Sequence, residues 1–163
     1  MNLEIRHELD QYLQATLQST VFDMDISIDY TNRSITASYE SFDFGEDEAT
    51  EPSFSATILD HIANSSQTAD ELCIMAHVDT KVISRAQAKT TYKPSKTIVL
   101  ALGMALKLSE PLMVALLKSA TYDFTHIAKR DLIIRFFMER QCYDITEINT
   151  YLTYYKELTL GSV

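Results

Sequence analysis

Leu72-Cys73-Ile74-Met75-Ala76-His77-Val78-Asp79-Thr80-Lys81-Val82-Ile83-Ser84-Arg85 reads as two short helices around a tight turn. Just before it, Thr68-Ala69-Asp70-Glu71 has the form of a capping box. A Thr hydroxyl there can accept the N3 amide, and a Glu carboxylate can accept the cap's own N–H, so a helix starts at 68 and runs to about 76. Asp79 supplies the cap of the next helix, about 80–89. Leu72, Ala76, Val78 and Ile83 then have to meet where the two helices cross.

The helical period of 3.6 continues outward on both sides. Phe54, Ile58, Leu59 and Ile62 mark a helix that Asn64-Ser65-Ser66 closes. Ser95 caps a helix over about 96–108, and Ser109-Glu110-Pro111 opens another, with Pro in the first turn where its missing N–H costs nothing. A further helix covers about 126–140, and Asp144-Ile145-Thr146-Glu147 is a second capping box for the last. The expected fold of residues 54–163 is mainly α, an orthogonal helical bundle with short connections.

Residues 1–53 have a different character. Leu3, Ile5, Leu13 and Leu17 mark a helix over about 3–18. Over 21–30 the period changes: Met24, Ile26, Ile28 and Tyr30 alternate with Asp23, Asp25, Ser27 and Asp29, as in a half-exposed strand. Thr31-Asn32-Arg33 is a turn, and 34–39 alternates again through Ile35, Ala37 and Tyr39. Residues 1–44 are therefore expected to be an acidic helix plus β-hairpin appendage, and 45–53 an acidic linker. A lone hairpin is marginal in water, so it has to pack on the helix, the body or a second subunit.

The charge is unevenly distributed in the same way. The chain carries a net −9. Residues 1–53 hold two basic residues, Arg6 and Arg33, against twelve acids, a balance of −10, while 54–163 hold twelve basic and eleven acidic residues, a balance of +1. Appendage and body are best judged separately.

The stretch 72–85 resembles the helix-turn-helix of lambda-repressor-like (XRE-type) domains. In that pattern a Leu is followed by a small residue, a turn residue five on, an aliphatic six on and an N-cap. Ile83, Ser84 and Arg85 then fall on its aliphatic, Ser and basic positions. Tyr92-Lys93-Pro94-Ser95-Lys96-Thr97, Leu100-Ala101-Leu102, Ala120-Thr121-Tyr122, Asp131-Leu132-Ile133 and Glu147-Ile148-Asn149 resemble a narrower group. These are small helical domains appended to other domains in bacteria of the Firmicutes type and their phages. The likeness spans about 54–161.

The resemblance implies a sequence-specific DNA-binding regulator of phage or mobile-element type, with double-stranded DNA as partner and a homodimer to match a two-fold operator. By position, Thr80, Lys81 and Arg85 fall where such proteins read bases, Ser84 is counted with them as DNA-binding, and Lys89, Lys93 and Lys96 are expected to hold phosphates. Residues 80–96 contain five basic residues and no acid, which suits a phosphate-facing surface. Three features depart from the pattern. His77 stands where a turn Gly is usual, Ala69 where many such proteins carry a phosphate-anchoring Gln, and Asp79 would face phosphates. The alternative is a non-enzymatic protein-binding factor, such as a phage-encoded inhibitor or nucleic-acid mimic, acting through the acidic residues 1–53.

Other chemistry finds little support in the residues. Three glycines leave almost no room for a phosphate-cradling loop, and no nucleophile elbow or His-bearing dyad is present, so no enzyme is expected. His7, His61, His77 and His126 lack metal-ligand spacing, and Cys73 and Cys142 sit within helical patterns as buried reduced thiols, so neither metal nor cofactor is expected. Asp23, Asp25 and Asp29 read as the wet side of the hairpin. Tyr151, Tyr154 and Tyr155 suit an interface or a core. The start of the chain has no apolar signal region, and no apolar run approaches the length of a membrane span, which points to the cytoplasm.

Overall fold

The computed structural model describes residues 1–25 and 51–161. Among them are eight helices and no strand: α1 (Leu3–Asp25), α2 (Phe54–Ala63), α3 (Ala69–Met75), α4 (Lys81–Ala88), α5 (Lys96–Ala105), α6 (Glu110–Ser119), α7 (Lys129–Glu139) and α8 (Ile145–Tyr154). Residues 99–105 of α5 and 131–138 of α7 are buried without a break, as expected of helices packed on all sides. Around these two hubs, α3 and α6 pack on α5, α1 packs on α7, α8 touches both, and α2 bridges α4 and α6.

Local sequence accounts for most helix starts. The Thr68 box closes in both directions: Glu71 N–H donates to Thr68 Oγ1 at 3.2 Å and Thr68 N–H to Glu71 Oε2 at 2.9 Å. These bonds hold the Glu71 carboxyl below its ordinary range. The second expected box closes only by half. Asp144 Oδ1 accepts from the amides of Thr146 and Glu147, but the Glu147 carboxylate takes the Cys142 thiol instead, at 3.3 Å.

Five helices stop in one way. His77, Lys107, Thr121, Gln141 and Lys156 each follow a C-cap with φ between 53° and 63°. In each case the N–H groups of this residue and the next bond back to the last helical turn, as with His77 to Ile74 O at 3.2 Å and Val78 to Cys73 O at 3.0 Å. None of the five is glycine, so each stores about 1–2 kcal/mol of left-handed strain. At position 77, where a turn Gly is usual in the resembled pattern, a histidine bears the left-handed geometry.

The N-terminal segment departs from expectation. α1 continues through Asp25, so the first five residues of the stretch read as a strand are helical. Extending a formed helix needs no new nucleus, and nothing in 19–25 is a Gly or Pro to stop it. The remainder of the expected hairpin, 26–39, and positions 45–50 of the expected linker lie outside the described residues.

Of the packing partners open to the N-terminal segment, α1 takes the body. Leu9 and Leu13 are buried in the common core, and Tyr12 packs on Phe136 with ring centroids 5.5 Å apart. Three phenols fasten the helix. Tyr12 donates to Glu139 Oε1 at 3.2 Å, Tyr155 to Asp10 Oδ1 at 2.5 Å, and Tyr151 to Asn2 O at 3.1 Å. Glu8 pairs with Arg140. Two acids of residues 1–53, Glu8 and Asp10, thus have partners on the body.

Candidate nucleic-acid interface

α3, the turn after it and α4 form a rigid corner. Leu72 and Ala76 are fully buried, and Val78, Val82, Ile83 and Ala86 are buried with them. That inner row sets the rotation of α4 against α2, because residues three and four apart share a helix face. Thr80, Lys81, Ser84 and Arg85 are left exposed on the other side. Asp79 Oδ1 accepts the Lys81 amide at 2.9 Å, one residue ahead of the N-cap position itself, Thr80, whose side chain makes no capping bond. Lys81 and Arg85, four apart, point to solvent together.

The segment leaving α4 is pinned from below. Lys89 is extended, and its carbonyl accepts from the buried Ser55 hydroxyl at 2.8 Å. Tyr92 meets Phe54 edge-on at 6.5 Å, and Pro94 O accepts from the Tyr122 hydroxyl at 3.0 Å. Lys89 and Lys93 are therefore exposed side chains on a fixed backbone. Lys93 Nζ also donates to Thr121 Oγ1 at 3.3 Å.

Lys96 does not belong with them. The sequence groups it with the phosphate contacts, whereas its ammonium turns inward, 2.7 Å from Asp131 Oδ2. Asp131 is fully buried and also accepts from Thr125 N and Oγ1 at 2.9 and 3.2 Å. Next to it on α7, Arg135 lies over the Phe124 ring at 4.0 Å, donates to Phe124 O at 2.7 Å and pairs with Glu110. A buried carboxylate stripped of its cation is strongly destabilising, so Lys96 serves the joint between α5 and α7. The spacing of Lys96 carries no sign of this, since its partner lies 35 residues away.

A second element escapes sequence reading. After α8 the chain folds back beneath the α3–α4 turn. Leu160 is buried, and its N–H and C=O bond to the Asn149 side chain at 2.7 and 3.1 Å. Gly161, at φ +88°, lies so close to the turn that a Cβ would be 2.6 Å from His77 O and 2.9 Å from Ala76 O. The turn that aims α4 thus rests on the C-terminal residues. Beside it, His77 and the Thr146, Asn149, Thr150 and Thr153 face of α8 line an open groove of about 420 Å³.

The remaining candidate chemistry is quiet. Burial pushes the Cys73 and Cys142 thiols up, Asp70 and Asp79 adding to it at Cys73, which disfavours the reactive thiolate. Among the described residues no group of His, Cys, Asp and Glu is placed to hold a metal ion. No helix among them is long and apolar enough to cross a membrane. Comparison with known proteins adds no assignment: no family model matches the chain, and no significant match is found among curated proteins or solved structures.

Proposed function

We propose that α3 and α4 constitute a lambda-repressor-like helix-turn-helix and that the protein is a non-catalytic, sequence-specific regulator of duplex DNA. One observation carries this reading. The N-terminal half of α4 presents Thr80, Lys81, Ser84 and Arg85 to solvent from a corner whose inner residues are buried. A helix entering a major groove by that end offers Arg85 or Lys81 to the O6 and N7 of guanine. Lys89 and Lys93 continue the surface and hold backbone phosphates. Lys96 has no part in it. A two-fold symmetric operator would call for a homodimer.

Glu8 and Asp10 already have partners on the body, Arg140 and Tyr155, so although Glu8 stays at the surface neither is a free acid for a mimic to present, which favours this reading over the acidic-mimic alternative. An electrophoretic shift assay on the full chain at two salt concentrations tests it. Binding should weaken steeply with salt and fall further in Arg85→Ala. Binding to a basic protein, with none to duplex at low salt, would transfer the function to the acidic segment.

A further inference from the structure

A groove of about 330 Å³ runs between the start of α2, the 90–93 loop and the end of α6. Lys93 and Lys118 line it from two different elements, with Ser119, Thr121 and Tyr92 between them. Thr121 is held in the left-handed turn that ends α6, and its hydroxyl meets the Lys93 ammonium at 3.3 Å. One carboxylate also lines this groove, that of Glu51, with Oε1 2.6 Å from Lys118 Nζ. Both side chains of that pair are largely exposed, 65% and 63%, and exposed pairs of this kind are weak and exchangeable.

We infer that this groove is an oxyanion site for a phosphate group, and that Glu51 is an internal competitor occupying it. Two ammonium groups and the Thr121 hydroxyl, which accepts from Lys93 and keeps its own proton to donate, match the charge and hydrogen-bonding capacity of a phosphate. The Glu51 carboxylate marks where an anionic oxygen already sits against Lys118. Lys93 belongs both to this groove and to the row formed by Lys81, Arg85 and Lys89. A duplex held by that row therefore continues into the groove and exchanges a backbone phosphate for the carboxylate. The duplex as source rests on the DNA reading above; the phosphate chemistry of the groove does not.

The experiment uses the full chain and two probes. Affinity for a random-sequence duplex is measured by fluorescence anisotropy at about 50 and about 200 mM salt for wild type, Glu51→Gln, Lys118→Gln and Arg85→Ala. Glu51→Gln should bind roughly three- to fivefold more tightly at the lower salt, and Lys118→Gln correspondingly more weakly. The salt slope of Lys118→Gln should be smaller by about 0.9. If both variants match wild type while Arg85→Ala loses binding, the groove assignment is overturned and the DNA reading stands. If wild type binds no duplex, the DNA reading fails, and titration of inorganic phosphate into labelled protein decides the groove alone. Saturable shifts at the Ser119 and Thr121 amides, tighter in Glu51→Gln, would then keep it as a site for free phosphate. No shifts there would overturn it.

Discussion

Replacing Gly161 with alanine tests whether the C-terminal residues hold the α3–α4 corner in place. At φ +88° any side chain is strained, and the new Cβ would lie 2.6 Å from His77 O and 2.9 Å from Ala76 O. Both are backbone atoms of the turn, so no flexible group can swing aside. If the tail stays seated, the turn has to shift and a strain of about 1–2 kcal/mol is added. If the tail lifts off, the burial of Leu160 is lost, about 1.5–3 kcal/mol. The two hydrogen bonds to Asn149 go with it, at about 1 kcal/mol each. The molecule takes the cheaper route, the strained one, so Gly161→Ala should cost ~1–2 kcal/mol. Urea unfolding followed by circular dichroism reads this as a lower midpoint with an unchanged slope. Duplex affinity of the folded variant should fall as well, because the displaced turn aims α4. A variant within about 0.5 kcal/mol of wild type, the range of ordinary surface changes, would refute the contact between tail and turn.

Three further outcomes follow from the packing and the phenols. Ile83→Ala, on the buried face of α4 and 3% exposed, should lower stability by ~2–4 kcal/mol; a neutral change in the unfolding midpoint would mean that α4 is rotated away from its inner row. His77→Gly should raise stability by ~0.5–1 kcal/mol, since relief of left-handed strain, about 1–2 kcal/mol, exceeds the roughly 0.4–1 kcal/mol of added unfolded-state freedom. A loss on the same assay would contradict the left-handed turn. Alkaline pH should release α1. Burial first, then Glu139, pushes the Tyr12 phenol up to about 12, and burial likewise raises Tyr151 and Tyr155. A folded-state value above the unfolded one of about 10 means stability intact below that pH and lost as pH rises through about 12. Phenolate absorbance that shows every tyrosine titrating as in a free peptide would exclude these three fastenings.

The parts of the fold that were legible in the sequence are those written locally. The Thr68–Glu71 box, the Asp79 side chain and the apolar period of 54–154 place α2 to α8 to within a few residues, because capping and amphipathicity act over three or four positions. The exposed quartet Thr80, Lys81, Ser84 and Arg85 follows from the burial of Val82, Ile83 and Ala86 in the same way. What escaped depends on partners far along the chain. Lys96 looks like its basic neighbours until Asp131, on α7, claims it. The hydroxyls of Tyr151 and Tyr155 give no hint in sequence that they reach the start of α1, nor that of Tyr12, on α1, that it reaches Glu139 on α7. The alternation over 21–25 favoured a strand because period-2 and helical readings of five residues are hardly separable, and there the growing helix prevailed. Gly161 is a single residue whose role appears only when its tail is seated beside a turn 84 positions earlier in the numbering.

Selection of binding sites from a pool of random duplexes by the full chain, repeated with Arg85→Ala and Lys93→Ala, bears most directly on the claim that α4 reads DNA. Wild type should enrich a motif, with two related half-sites if the dimer forms, about one helical turn or a multiple of it apart. Arg85→Ala should lose ~1–3 kcal/mol on that motif and relax its preference, whereas Lys93→Ala should weaken all sequences alike and reduce the salt slope by about one charge. A pool that enriches no motif, together with no binding of wild type to duplex at low salt, would contradict the account.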